Sequence, residues 1–350
     1  MNREKPAAVL AAATMLFLAA CAPASTAKST PTLTTTITVG RSDPWILYQW
    51  FTPTNSQVDE LWLVRPDGSG NHPLLSTSTD SLHPDWSPDG QQIAFIADRG
   101  DRSDLWMVNA DGTSARRLVT CDAPCNTVND PSWSPDGRKI LFGQDNLPAG
   151  PGGVPTSFEF KVIDLASGVV TTLYSGHAGS PVEEARWSPD GRHIVFKRGR
   201  LSASGDEIGV AIFVMDLAGG RQRQLTPWDS FAQDPDWGPG GWIVFGTYGF
   251  GDTIHPSNLF LIKPDGTGLT PLTTFRAGAV VGGQPRWTPD GSAVVFVQDS
   301  CRDGTPISVC IGDPAQQLRQ LAIIRADGTG LGLATPTGTL GTHPEFRPLP

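Results

Sequence analysis

The chain has 350 residues, enough for one large all-β domain or two ordinary ones, and hydrophobic residues make up 39% of it, enough for a sizeable core. Gly 39 and Pro 31 are high counts for a globular protein and point to many short strands joined by tight turns. A formal net charge of -9, with no run of Lys or Arg after the N-terminus, leaves no footprint for phosphate backbones and excludes nucleic acid as a partner. An acidic surface suits a cationic ligand, a metal or a basic partner patch, and it also serves solubility.

Arg3 and Lys5 precede the apolar run Ala7 to Ala20, which is short for a membrane span and ends Leu18-Ala19-Ala20-Cys21. This is a signal-peptide pattern over residues 1–20, and its ending resembles the bacterial lipobox, in which cleavage leaves a lipidated Cys21 as the first mature residue. An ordinary secretory signal with a chance cysteine is the alternative. Both give export, and the first holds the protein at the extracytoplasmic face of the bacterial cell envelope by its lipid alone. Residues Ala22 to Thr38 are dominated by Ser, Thr, Pro and Ala, too poor in large apolar side chains to offset the entropy of ordering. Residues 21–40 therefore read as a flexible tether, and 41–350 as the folded domain.

That domain begins with the strand-like runs Trp45 to Trp50 and Leu61 to Val64, after which one motif recurs at a spacing of about fifty residues. Its copies are His83-Pro84-Asp85-Trp86-Ser87-Pro88-Asp89-Gly90, Asp130 to Gly137, Glu184 to Gly191, Asp234 to Gly241 and Gln284 to Gly291. A shortened copy, His343 to Pro348, lies near the C-terminus. Each complete copy is followed by a β-rich run such as Ile93-Ala94-Phe95-Ile96, so Ser-Pro-Asp-Gly sits in a hairpin. Pro presets φ at the first corner, Asp bonds the backbone ahead of it and Gly takes the positive φ. A second hairpin recurs at Pro66-Asp67-Gly68, Ala110-Asp111-Gly112, Ala166-Ser167-Gly168, Ala218-Gly219-Gly220, Pro264-Asp265-Gly266 and Ala326-Asp327-Gly328. Four strands per unit follow, and such units close into a ring that protects their edges. The N-terminal unit lacks a first strand and the shortened C-terminal copy supplies one, which predicts an all-β, six-bladed propeller whose ring is closed by the C-terminal strand.

These repeats resemble those of the TolB-like propeller family of bacterial envelope proteins, over roughly residues 41 to 350. Proteins with this fold include TolB itself, the propeller domains of prolyl oligopeptidases and oligogalacturonate lyases. TolB carries an α/β domain ahead of its propeller where this chain has the tether, so the resemblance does not extend to TolB's usual partners.

Around such a ring the Pro-Asp-Gly turns share one face, and the other carries uneven connections, including Gly143 to Ser157, Arg198 to Gly209 and Asp299 to Arg319. Variable loops on a rigid scaffold are where binding resides, so the functional face is expected there. His83, Asp130, Glu184, Asp234, Gln284 and His343, each three residues before the motif aromatic, are expected to start the innermost strands and gather at the channel on that face. Carboxylates and imidazoles of this kind could hold a divalent cation, with His83, Asp130, Glu184, Asp234 and His343 as the ligand set. Oligogalacturonate lyases bind a metal with His and Gln in their channel. The structural alternative is that these side chains bond backbone or channel water. No cofactor is otherwise indicated. Trp86, Trp133, Trp187, Trp237 and Trp287 recur once per repeat and read as packing between blades. Trp228, Phe231, Tyr248 and Phe250 stand outside the repeat and are the surface-binding candidates. Four cysteines in an exported chain allow three pairings, and their placement in two separate loops favours Cys121–Cys125 and Cys301–Cys310.

There is no G-x-S-x-G elbow and no phosphate-cradling glycine loop. The sequence therefore favours a monomeric, non-catalytic envelope scaffold that binds a protein, peptide or glycan. The competing reading is a metal-dependent polysaccharide lyase or hydrolase, with His83 or His343 as ligand or base in the channel.

Overall fold

The computed structural model describes residues 45–50, 59–75, 79–98, 102–147, 155–247, 257–275, 280–302, 304, 316–335 and 341–348. Six four-stranded antiparallel sheets make the ring. Blade 1 holds β1 (Ile46–Trp50), β2 (Glu60–Val64) and β3 (His72–Leu75), and blade 2 holds β4 (Asp80–Trp86), β5 (Gln92–Asp98), β6 (Ser103–Asn109) and β7 (Arg116–Val119). Blade 3 runs through β8 (Cys125–Trp133), β9 (Lys139–Asn146), β10 (Ser157–Asp164) and β11 (Val170–Ser175). Blade 4 follows with β12 (Val182–Trp187), β13 (His193–Leu201), β14 (Glu207–Asp216) and β15 (Gln222–Gln224). Blade 5 has β16 (Ala232–Trp237), β17 (Ile243–Thr247), β18 (Leu259–Ile262) and β19 (Thr270–Pro271), and blade 6 has β20 (Val280–Trp287), β21 (Ala293–Cys301), β22 (Gln317–Arg325) and β23 (Gly332–Leu333). The last strand, β24 (Gly341–Phe346), pairs antiparallel with β1 and completes blade 1, as the sequence predicts. One 3-10 turn, Trp228–Ser230, is the only helical element among the described residues.

The turns form for the reasons the motif supplies. Gly90, Gly137, Gly191, Gly241 and Gly291 all adopt positive φ, and in blade 2 the Gly90 amide donates to Ser87 O while the Ser87 hydroxyl donates to Asp89 Oδ1 at 2.7 Å. Blade 5 departs from this pattern: Gly238 and Gly240 replace the Ser and Asp. A Cβ on Gly238 would come within 2.7 Å of the Trp287 indole, so the small residue is what lets Trp287 seat against blade 5.

Six hydrophobic clusters fill the six gaps between neighbouring blades. Each motif Trp packs against the blade before its own: Trp86 against blade 1, Trp133 against blade 2, and so on to Trp287. Phe346 takes the equivalent place against blade 6. The second strands add Tyr48, Phe95, Phe142, Phe196, Phe245 and Phe296, all essentially inaccessible. Burying each such ring contributes roughly 1.5–3 kcal/mol, repeated once per gap.

Candidate functional site: the channel and the loop face

The strands β4, β8, β12, β16, β20 and β24 touch their neighbours around the axis and line the channel. The six expected channel residues lie on them, but inside the strand and not at its start, because each strand begins two to five residues earlier. All six are in the left-handed region, with φ of 48 at His83, 44 at Asp130, 56 at Glu184, 53 at Asp234, 50 at Gln284 and 49 at His343. In each blade the ladder to the next strand shifts register around this residue. A bulge of this kind turns the residue's amide out of its own sheet.

The redirected amides reach the preceding blade. His83 N donates to Gln49 Oε1 at 3.3 Å, Asp234 N to the Glu184 carboxylate, Gln284 N to Asp234 Oδ2 at 3.2 Å and His343 N to Gln284 Oε1 at 2.9 Å. Between blades 2 and 3, His83 Nδ1 lies 2.8 Å from Asp130 Oδ1. His343 stacks on His83 with ring centroids 4.2 Å apart, and its Nε2 is 3.1 Å from Gln284 Nε2. The ring of polar side chains is thus an interblade bond system. Holding a non-glycine residue at positive φ costs of order 1–3 kcal/mol, which these bonds offset.

The electrostatics follow from burial and neighbours. Burial disfavours the Asp130 anion, but His83 beside it outweighs that and holds the carboxyl well below the usual range. Glu184 is pushed well above it by burial and by the nearby Asp234. His343 is held neutral by burial and by His83. At the rim, burial raises Asp145 to about 7, with Glu183 adding to it, and Asp59 to about 6. Lys197, buried between Glu183 at 2.8 Å and Glu184 at 3.6 Å, stays protonated because those carboxylates outweigh its desolvation. Among the described residues no three His, Cys, Asp or Glu side chains come together as a metal site. The proposed ligand set does not fit a divalent ion, because its members bond one another and the backbone.

Sequence reasoning missed a second layer, formed by the residue before each motif aromatic. Arg286 Nε lies 2.6 Å and Arg186 Nη2 3.2 Å from Glu345 Oε1, so Arg186 crosses the channel from blade 4 to blade 1. Arg186 Nη1 is also 3.7 Å from Asp85 and donates to Pro131 O at 2.9 Å. Asp85 Oδ2 accepts the Trp133 amide at 2.6 Å, and Asp236 Oδ2 accepts the Trp287 amide at 2.8 Å. The signal was present in the motif, whose position before the aromatic reads Asp, Ser, Arg, Asp, Arg and Glu around the ring. Only the closed ring brings these charges together.

On the loop face, what reads as the loop Arg198 to Gly209 is mostly the outer half of the β13–β14 hairpin, with strands of 9 and 10 residues. Trp228 buttresses it: the Arg200 guanidinium lies 3.8 Å from the indole centroid, and Phe213 packs beneath at 5.4 Å. Trp228 is therefore half-buried, and Phe231, with φ of 46, closes the same 3-10 turn. Ile208 beside them is 62% exposed. Tyr248, Phe250 and Cys310 lie outside the described residues, as do residues 1–44 with the expected signal, the lipid site Cys21 and the whole tether. Cys121 and Cys125 are joined by a disulfide in the connection from blade 2 to blade 3, and Cys301 is disulfide-bonded as well. The turn face is not uniform either: blade 5's altered turn borders a groove of about 280 Å³ lined by Trp242, Leu261 and Trp287.

No family model matches the chain. A stretch of 61 residues, 17% of the chain, is 38% identical to the Tol-Pal system protein TolB of Anaeromyxobacter dehalogenans (strain 2CP-C), and spans only 14% of that relative. The fold is similar to TolB from Acinetobacter baumannii, with a TM-score of 0.65, 21% identity, and coverage of 88% of this chain and 67% of that one. It is also similar to an oligogalacturonate lyase in complex with manganese, with a TM-score of 0.52, 15% identity, and coverage of 83% and 74%. The chain is a TolB-like six-bladed propeller in fold.

Proposed function

We propose that the chain is an exported, lipid-anchored cell-envelope scaffold that binds a protein, peptide or glycan through the loop face of its propeller, without catalysis. One observation carries this reading. The polar side chains of the channel are committed to bonds between blades, whereas Arg200, Ile208 and the buttressing Trp228, at and beside the outer end of the β13–β14 hairpin, occupy no repeat position. A rigid ring that presents non-repeat side chains on projecting hairpins is what a binding module needs.

The test is capture of envelope proteins and glycan fragments on immobilised protein, beside a screen of uronic-acid oligosaccharides with and without Mn²⁺. Trp228→Ala is expected to lose the captured ligand and His83→Ala to keep it. Turnover that requires Mn²⁺ and disappears in His83→Ala would replace the scaffold with a channel lyase.

A further inference from the structure

Glu345 is the one carboxylate that the closing strand β24 places in the channel, and it is shared by two guanidiniums from other blades, Arg286 at 2.6 Å and Arg186 at 3.2 Å. Arg186 also faces Asp85 of β4 at 3.7 Å, and Asp236 of β16 acts on Arg286. Blade 3 contributes the uncharged Ser132 at this position. The layer thus holds three carboxylates and two guanidiniums, and the side chains of Arg186, Arg286, Glu345 and Asp85 are only 5% to 15% exposed. One negative charge has no partner in it.

Among the described residues the neighbouring cations are engaged elsewhere, and Arg347, the buried guanidinium that follows β24, donates to Gly90 O. Strand β1 carries no charged side chain, and its Tyr48 hydroxyl donates to Asn71. On β21 and β22, Asp299 and Arg319 pair with each other at 2.8 Å. In the layer above, β4, β8, β12, β16 and β24 bring His83, Asp130, Glu184, Asp234 and His343, and Lys197 is bound to Glu183 and Glu184.

We propose that this layer takes up one proton as the medium falls from neutral to mildly acidic, and so acts as a proton-operated latch that holds β24 more tightly when acidified. An unmatched charge in a dry layer is costly, and a proton on one carboxyl leaves two anions facing two cations. Burial accordingly raises Glu345 to about 7 and Asp85 to about 6 despite the neighbouring arginines. A carboxyl raised in the folded state stabilises that state below its unfolded value and loses the contribution as pH rises through the folded value. His343, kept neutral in the layer above, acts in the opposite sense and sets the acidic limit.

The experiment is hydrogen–deuterium exchange on the intact chain at about pH 6 and about pH 8, corrected for intrinsic rates and read for residues 341–348 against β14. The wild-type β24 peptide is expected to gain several-fold protection at the lower pH relative to β14. Asp85→Asn, which balances the layer without a proton and keeps an acceptor for the Trp133 amide, is expected to flatten that gain to less than two-fold. Asp236→Asn does the same from blade 5 and serves if the first variant fails to fold. Asp145→Asn, outside the layer, leaves the gain in place. Equal protection of wild-type β24 at both pH values, or an undiminished gain in the Asn variants, overturns the latch.

Discussion

On the turn face, nearly every polar side chain that the repeat specifies is bonded within its own turn: Asp111 Oδ1 accepts from the Thr113 amide at 2.9 Å, and Asp136 Oδ1 accepts from the Ser134 hydroxyl at 2.7 Å. The Arg347 guanidinium seals that face by donating to Gly90 O at 3.0 and 2.9 Å. The loop face has no such regularity, and there Ile208 is exposed while Arg200 covers Trp228. The difference teaches that a repeated position in a ring is architectural by default, even when it carries His, Asp or Glu. Recognition is to be sought where the repeat is interrupted.

The largest break in this comparison comes from removing the closure. Deleting residues 343–350 takes away most of β24, Glu345 and Arg347, and is expected to abolish cooperative thermal unfolding; a truncated chain with an unchanged Tm would refute the closed ring. Next is Glu345→Ala, which removes the buried carboxylate that Arg286 and Arg186 share and is expected to cost about 3–5 kcal/mol in denaturant unfolding. The pH dependence is smaller. Glu345, Asp85, Asp145 and Asp59 are all raised in the fold, so the folded state holds their protons more tightly, and its advantage is lost as pH rises through about 6 to 7. The Tm is therefore expected to be higher at about pH 6 than at about pH 8, with His343 opposing and reducing that gain at the acidic end. Smallest is Asp111→Ala on the turn face, expected to cost roughly 1 kcal/mol by the same unfolding measurement.

Much of the architecture was legible because the Ser-Pro-Asp-Gly turn, the Trp before it and the Asp-Gly turn after it each have a local physical cause. The strand supplied by His343 to Phe346 could be counted from the missing first strand of blade 1. The bulge was also written in the sequence: five of its six residues precede a proline, whose missing N–H interrupts a ladder. What could not be read was the consequence, since the redirected amides bond the preceding blade only once the ring closes. The charge layer was hidden for the same reason. Asp85, Arg186 and Glu345 stand on three different blades, and no spacing in the chain marks Arg186 as reaching across the axis.

The division between an architectural channel and a binding loop face is tested most directly by calorimetric titration of Mn²⁺, Ca²⁺ and Zn²⁺ into the wild-type protein and Asp234→Ala, with the Tm of each. Asp234 Oδ2 accepts the Gln284 amide, so the variant is expected to lose about 1–3 kcal/mol of stability, and neither protein is expected to bind the ions. Tight binding of one ion by the wild type, lost in Asp234→Ala while the Tm stays where it was, would contradict the account.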